Sequence, residues 1–390
     1  MRYDFDEPVN RENTGSFKFD YTSEYFGTTD LIPMWVADMD FRTPDFVMEA
    51  IRNRMDHEIL GYSIRPESFF QALINWYKVR QNWSIERNSI LFSPGVVAAL
   101  SMAVNAFTSK GEKVIIQPPV YHPFFSVVKE NNRKLIYNTL LEEEGYYRMD
   151  LDDLKQKIDK DTKLLILSHP HNPVGRVWSA GELKELADIC LENNIIMLSD
   201  EIHSDLVLPP HIHTPLSSLS DEIAHNTVTC VAASKTFNLA GLSSSAVIIP
   251  NETLRTGFSQ EVQKGHLFMG NIFGNIAMET AYSQGGEWLD QLLDYLKGNA
   301  DFLVDYLALN LPGIRVSPVQ ATYLAWLDMR SLGMKSKQLR DFMTREAGIG
   351  CNDGPTFGPG GRGFQRLNFA CPRSTLQQAM DQLKVAVEKI

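Results

Sequence analysis

Apolar positions in the middle of this chain fall into short runs rich in β-formers, separated by stretches with a helical repeat. Val114-Ile115-Ile116, Leu164-Leu165-Ile166-Leu167, Ile195-Ile196-Met197-Leu198 and Val228 to Val231 are continuous rather than alternating, as expected of strands buried on both faces. Helical patterns intervene at Ser126 to Asn131 and Ser179 to Asn193, and another begins at Pro44 with Thr43 as its N-cap. Strands alternating with helices predict an α/β fold with a mostly parallel sheet covered on both sides. After Gly285-Gly286 the character changes. A long amphipathic helix is predicted over Leu289 to Leu309, then a strand at Thr322 to Leu327 and helices at Ser336 to Glu346 and Ser374 to Lys389. The glycine-rich loop Gly354 to Gly363 lies between those last two helices. The stretch before Asp40 has little periodicity. We therefore expect a large domain over 44–285 and a smaller α+β domain built from 1–43 and 286–390.

Composition narrows the class. The 390 residues are 44% hydrophobic and 22% charged, as in ordinary globular proteins. A formal charge of −11 argues against general nucleic-acid binding, which calls for a basic face. No apolar run approaches the ~20 residues of a membrane span, and the acidic start Met1 to Glu7 has no apolar core of a signal peptide. Cys190, Cys230, Cys351 and Cys371 are widely spaced, which predicts buried thiols and a cytoplasmic location. The pairs His169/His171 and His211/His213 have no clustered carboxylate or cysteine partners and read as loop chemistry, not as a metal site.

In parallel α/β sheets ligands sit beyond the carboxyl ends of the strands, and here those ends carry chemistry. Gly95 precedes the helix that opens near Val96 and Val97, whose free N–H groups and dipole suit a phosphate. Tyr121 follows the first run, Asn172 of Asn-Pro-Val-Gly the second, Asp200 the third and Lys235 the last. Each has a plain structural alternative: helix cap, exposed loop tyrosine, tight turn, N-cap, surface lysine. Together they have a common chemistry. A lysine at the end of a buried strand is easily deprotonated and forms a Schiff base with an aldehyde. A strand-end carboxylate pairs with a protonated pyridine nitrogen, and an amide donates to a phenolate.

With these motifs the chain resembles the fold-type I pyridoxal-phosphate enzymes of the class I/II aminotransferase family, and within it the MalY/PatB-type C–S lyases. The resemblance is carried by Pro33-Met34-Trp35-Val36-Ala37-Asp38-Met39-Asp40-Phe41, by Asp200-Glu201-Ile202-His203, by Ser234 to Leu242 (Ser-Lys-Thr-Phe-Asn-Leu-Ala-Gly-Leu) and by Gly363 to Pro372. It implies an aspartate aminotransferase fold with a seven-stranded sheet and pyridoxal 5'-phosphate as cofactor. Lys235 would hold the cofactor and move the proton, Asp200 would pair with the ring nitrogen, and Asn172 would bond the phenolic oxygen. Tyr121 would stack on the ring with His203 close by. Val96, Val97 and Ser234 would bind the phosphate, and Tyr62 would reach the phosphate of a partner copy in a homodimer with shared sites. Arg366 would clamp the substrate α-carboxylate, with Trp35 and Ala37 lining the substrate pocket. Family aminotransferases carry an arginine eight residues after the lysine; Ser243 stands there. The resemblance implies carbon–sulfur β-elimination on cystathionine or related S-substituted cysteines, with transamination of an L-amino acid as the alternative.

Overall fold

The computed structural model describes residues 2–390, and seven of its strands form one sheet. They are β1 (Ile90–Ser93), β2 (Lys113–Ile116), β3 (Lys134–Tyr137), β4 (Thr162–Ser168), β5 (Ile196–Asp200), β6 (Thr227–Val231) and β7 (Ser245–Ile248). Their order across the sheet is β1-β7-β6-β5-β4-β2-β3. All neighbours from β6 to β3 run parallel, and β7 runs antiparallel to both β1 and β6. The continuous apolar runs follow from this placement. Within β2 and β4, Val114, Ile116, Leu164 and Ile166 enter one hydrophobic cluster, whereas Ile115, Leu165 and Leu167 enter another on the opposite face.

Local sequence sets several helix limits. Ser179 and Glu182 form a reciprocal capping box that starts Ala180–Glu192. Three expectations are corrected. The helix Asp45–Met55 has Pro44, not Thr43, at its N-cap, because the Thr43 hydroxyl donates instead to the Asn238 carbonyl (3.2 Å). The helix expected over 126–131 spans Pro123–Lys129, since Pro123 has the preset backbone angle for a first helical residue. The stretch expected as one helix over 336–346 is α-helical only to Asp341 and continues as a π-helical turn over Phe342–Glu346.

A second, antiparallel sheet is built from β8 (Arg315–Val316), β9 (Leu324–Asp328), β10 (Asn352–Asp353) and β11 (Phe364–Asn368), in the order β8-β9-β11-β10. Its register sets Arg366 of β11 between Trp326 and Asn352. The long helix Gly286–Asn310 and the helix Arg373–Val387 contribute to a shared apolar cluster with Phe5, Met34 and Met39. Ile32–Pro33 pairs in parallel with Ile349–Gly350, which brings the amino-terminal segment beside the carboxyl-terminal part. We propose that 44–285 and 1–43 with 286–390 are the two domains. Among the described residues no helix is long and apolar enough to cross a membrane.

Candidate active site

The carboxyl ends of β2, β4, β5 and β6 open onto one cavity of about 300 Å³. Tyr121 reaches it from the loop after β2, Asn172 from the turn after β4, and Asp200 as the last residue of β5. Ser234 and Lys235 come from the helical turn Ala233–Thr236 that follows β6. Gly95, Val96 and Val97 close another wall, at the start of the helix Val96–Phe107. Gly95 holds a φ of 121°, a conformation suited to glycine. The first N–H groups of that helix have no acceptor within it and are available to an anion.

The electrostatics of the cavity are set by burial. Lys235 donates from Nζ to the Ala37 carbonyl at 2.6 Å. Burial pushes its amine down to about 8, against the fields of Asp38 and Asp200, while Arg366 acts in the same sense as burial. Asp200 is 5% exposed, and burial pushes its carboxyl up to about 7. The Ile202 N–H, donating at 3.2 Å, and the Lys235 charge hold it back. His203 lines the same cavity, and its Nδ1 is buried without a hydrogen-bond partner among the described residues. Burial, helped by Lys235 and Arg366, lowers it to about 3, so the ring is neutral near pH 7. Burial also raises the Tyr121 phenol.

Behind Asn172 lies Arg366. Its Nη1 donates to Asn172 Oδ1 (3.0 Å), and its Nη2 donates to the Trp35 carbonyl (2.9 Å) and Asn352 Oδ1 (2.6 Å). The guanidinium packs over the Phe357 ring at 5.0 Å, and its Nε has no hydrogen-bond partner among the described residues. Because Asn172 accepts through Oδ1, its Nδ2 is free to donate into the cavity. Ala37 also lines the cavity, and its carbonyl accepts from the Tyr323 hydroxyl (3.0 Å) as well as from Lys235.

Two of the residues singled out in the sequence lie elsewhere. The Trp35 indole does not line the cavity. Its ring packs against Phe17, Tyr25 and Phe26, and its N–H donates to the Lys18 carbonyl (2.9 Å), so only its main chain turns to Arg366. Tyr62 is 96% exposed and stands outside the cavity of its own chain. Of the four histidines read as loop chemistry, His211 is exposed, but the other three are buried. His213 pairs with Glu201 at 2.9 Å, and His169 and His171 meet the carbonyls of Thr214 and Pro119. Among the described residues no group of three or more His, Cys, Asp or Glu side chains is placed to hold a metal ion. Sequence reasoning missed Ser244 on the cavity wall, Tyr323 and Asn352. No local signal marks them, because their roles come from pairing with distant residues.

Known proteins match the chain nearly end to end. The model of the aminotransferase class I and II family matches residues 29–383. Cystathionine beta-lyase PatB of Bacillus subtilis (strain 168) is 46% identical over 384 residues, covering 98% of this chain and 99% of the relative. A PLP-bound putative aminotransferase from Clostridium difficile 630 superposes with a TM-score of 0.97 at 44% identity, over 99% of this chain and 100% of that one. Cystalysin from Treponema denticola, which contains a pyridoxal 5'-phosphate cofactor, also gives a TM-score of 0.97, at 37% identity over the whole of both chains. With a family model spanning the strand-end residues that line the cavity, this chain belongs to the aminotransferase class I and II family.

Proposed function

We propose that this chain is a pyridoxal-phosphate-dependent C–S β-lyase, cleaving cystathionine or related S-substituted L-cysteines with water to a thiol, pyruvate and ammonia. The observation that carries the lyase activity is the 46% identity to a cystathionine beta-lyase over 98% of the chain. The cofactor rests on a fit of donors and acceptors. The cavity offers an unpartnered His203 Nδ1, a buried Asp200 carboxylate with one oxygen uncommitted, free helix N–H groups and an amine of lowered basicity.

These residues suit a pyridoxal phosphate group in position as well as in type. Lys235 would hold it covalently, Asp200 would face its ring nitrogen, and Asn172 Nδ2 would donate to its phenolic oxygen. Tyr121 would pack on the ring face, with His203 nearby. The N–H groups of Val96 and Val97 and the Ser234 hydroxyl would take the phosphate. No arginine stands eight residues after Lys235. Ser243, at φ 46°, and Ser244 line the cavity there, so hydroxyls and the helix N-terminus would carry the phosphate's charge. When bound, the cofactor supplies an electron sink for the electrons of a broken Cα–H bond.

The remaining chemistry belongs to the chain. Arg366, pre-set by Asn172, Asn352 and the Trp35 carbonyl, would bind the substrate α-carboxylate, and Ala37 would border it. An amine pushed down to about 8 is in part neutral at working pH, so a freed Lys235 Nζ takes the Cα proton as general base. The Cβ–S bond then breaks, and sulfur leaves with the bonding pair.

A homodimer with shared sites accompanies this proposal. Tyr62 is flanked by exposed Ile59, Leu60 and Ile64, an apolar strip suited to a second copy. A cytoplasmic setting suits the four free, buried cysteines. Incubation with L-cystathionine in the absence of any keto acid tests the activity. We expect pyruvate and thiol in equal amounts; strict dependence on a keto-acid acceptor would instead establish transamination.

A further inference from the structure

The segment Pro33 to Phe41 carries two carboxylates, Asp38 and Asp40, that the proposed reaction does not use. Both meet cations from the amino-terminal segment. Arg11 grips Asp38 with both ends of its guanidinium, Nη1 to Oδ1 at 3.0 Å and Nη2 to Oδ2 at 2.8 Å. The same Nη1 donates to Asp40 Oδ1 at 2.6 Å. Lys18, fully buried, donates to both oxygens of Asp40 at 2.9 and 2.8 Å. Two cations thus balance two anions.

This cluster backs onto the lysine seat. Ala37, whose carbonyl takes the Lys235 amine at 2.6 Å, is the residue before Asp38. The main chain there is firmly held. Asn368 Nδ2 donates to the Val36 and Asp38 carbonyls (2.7 and 2.6 Å), and the Tyr323 hydroxyl donates to the Ala37 carbonyl. Asn238 bonds both the N–H and the carbonyl of Met39, at 3.0 and 2.9 Å. A carboxylate fixed in so rigid a loop has little freedom to relax away from a neighbouring charge.

We propose that Arg11 and Asp38 are a paired tuning device for Lys235, in which Arg11 balances the Asp38 carboxylate so that the amine beside Ala37 faces a nearly neutral cluster. The proposal rests on the pyridoxal-phosphate reading above, and Arg11 is in it a positioning residue that touches no reacting atom. Of the charged groups that act on Lys235, Asp38 is the strongest, ahead of Arg366 and Asp200. Facing the amine from the other walls are His203, kept neutral by burial, and the phenols of Tyr121 and Tyr323, both raised by burial. Asp38 itself faces Arg11, with Asp40 and Lys18 behind. Loss of one partner leaves one net charge near the amine, which through protein of effective dielectric ~20 moves an ionisation by roughly one pKa unit.

The test compares the parent protein with Arg11→Gln, Asp38→Asn and the double variant. Two readouts are taken: the pH titration of the cofactor's absorbance in the holoenzyme, and the pH dependence of Lys235 acylation by acetic anhydride in cofactor-stripped protein, followed by mass spectrometry. Arg11→Gln should shift the lysine midpoint upward by roughly one unit, Asp38→Asn should shift it downward, and the double variant should return close to the parent. General structural damage gives neither opposite signs nor mutual repair. Shifts of the same sign in both single variants, or no shift in either, overturn the proposal. Should Arg11→Gln not be recovered folded, Asp38→Asn decides alone, and an unchanged or raised midpoint overturns it. A parent protein that develops no cofactor band refutes the pyridoxal-phosphate reading, and the acylation titration then judges the pair by itself.

Discussion

Replacing Asp200 by Asn should strengthen the cofactor-free protein while disabling the enzyme. The carboxyl is raised from 3.8 to about 7, chiefly by burial. Between those two pH values the folded chain holds a proton that the unfolded chain has released, so stability falls as pH rises through the window. Above pH 7 the full cost is present. At 1.36 kcal/mol per pKa unit, a shift of about three units sets a ceiling of about 4 kcal/mol. Asparagine removes the charge yet keeps an oxygen to accept from the Ile202 N–H, the one hydrogen bond made by the Asp200 side chain among the described residues.

The gain is therefore expected at pH 8, as a rise of about 2–5 °C in the melting temperature of the stripped protein. More than half of it should be gone at pH 5. In the presence of pyridoxal phosphate the same variant should lose about 10²-fold or more in kcat/KM, because a neutral amide cannot replace a charge-assisted bond to a protonated ring. Differential scanning calorimetry at pH 5 and pH 8, with pyruvate release as the activity assay, measures both effects. A stripped variant no more stable than the parent at pH 8, or a gain that does not change with pH, would refute the reasoning.

Lys235→Ala should remove both the cofactor absorption band and turnover, by at least about 10³-fold, and retained turnover would displace Lys235 from its assigned role. Arg366→Lys keeps the charge but not the fork that spans Asn172, Asn352 and the Trp35 carbonyl, so KM for cystathionine should rise about 10–100-fold with a smaller change in kcat. A KM within twofold of the parent would move the carboxylate elsewhere. Gly354→Ala tests packing in the turn Gly354–Phe357. Its Cβ would fall 1.9 Å from the Gly361 carbonyl oxygen and 2.6 Å from that of Phe364, so the backbone must shift. A loss of about 3 kcal/mol or more is expected, read as a lowered midpoint in urea.

What was legible in the sequence follows from how each residue acts. The four apolar runs declared themselves because both of their faces are buried, so nearly every position is apolar. β1 and β7 did not. Each is four residues long, and the reversed direction of β7 is fixed only by its pairing with β1 and β6, which no local pattern encodes. Tyr121, Asn172, Asp200 and Lys235 were legible as residues of one cavity because each follows a recognisable strand, and the roles proposed for them use their own side chains. Ala37 acts through its carbonyl, a group every residue has, so its identity carries no signal for the contact with Lys235. Trp35 shows the same limit from the other side. Its conspicuous indole serves an aromatic cluster, while its main chain meets Arg366. Asp38 joins the two cases. Its side chain is legible but its purpose is not, because that purpose depends on Arg11, 27 residues away, and on a lysine seated by the neighbouring carbonyl. A site assembled this way is specified twice. In the proposed reaction, side chains at strand ends choose the chemistry, and a clamped stretch of main chain, charged on its far side, sets the amine that would perform it.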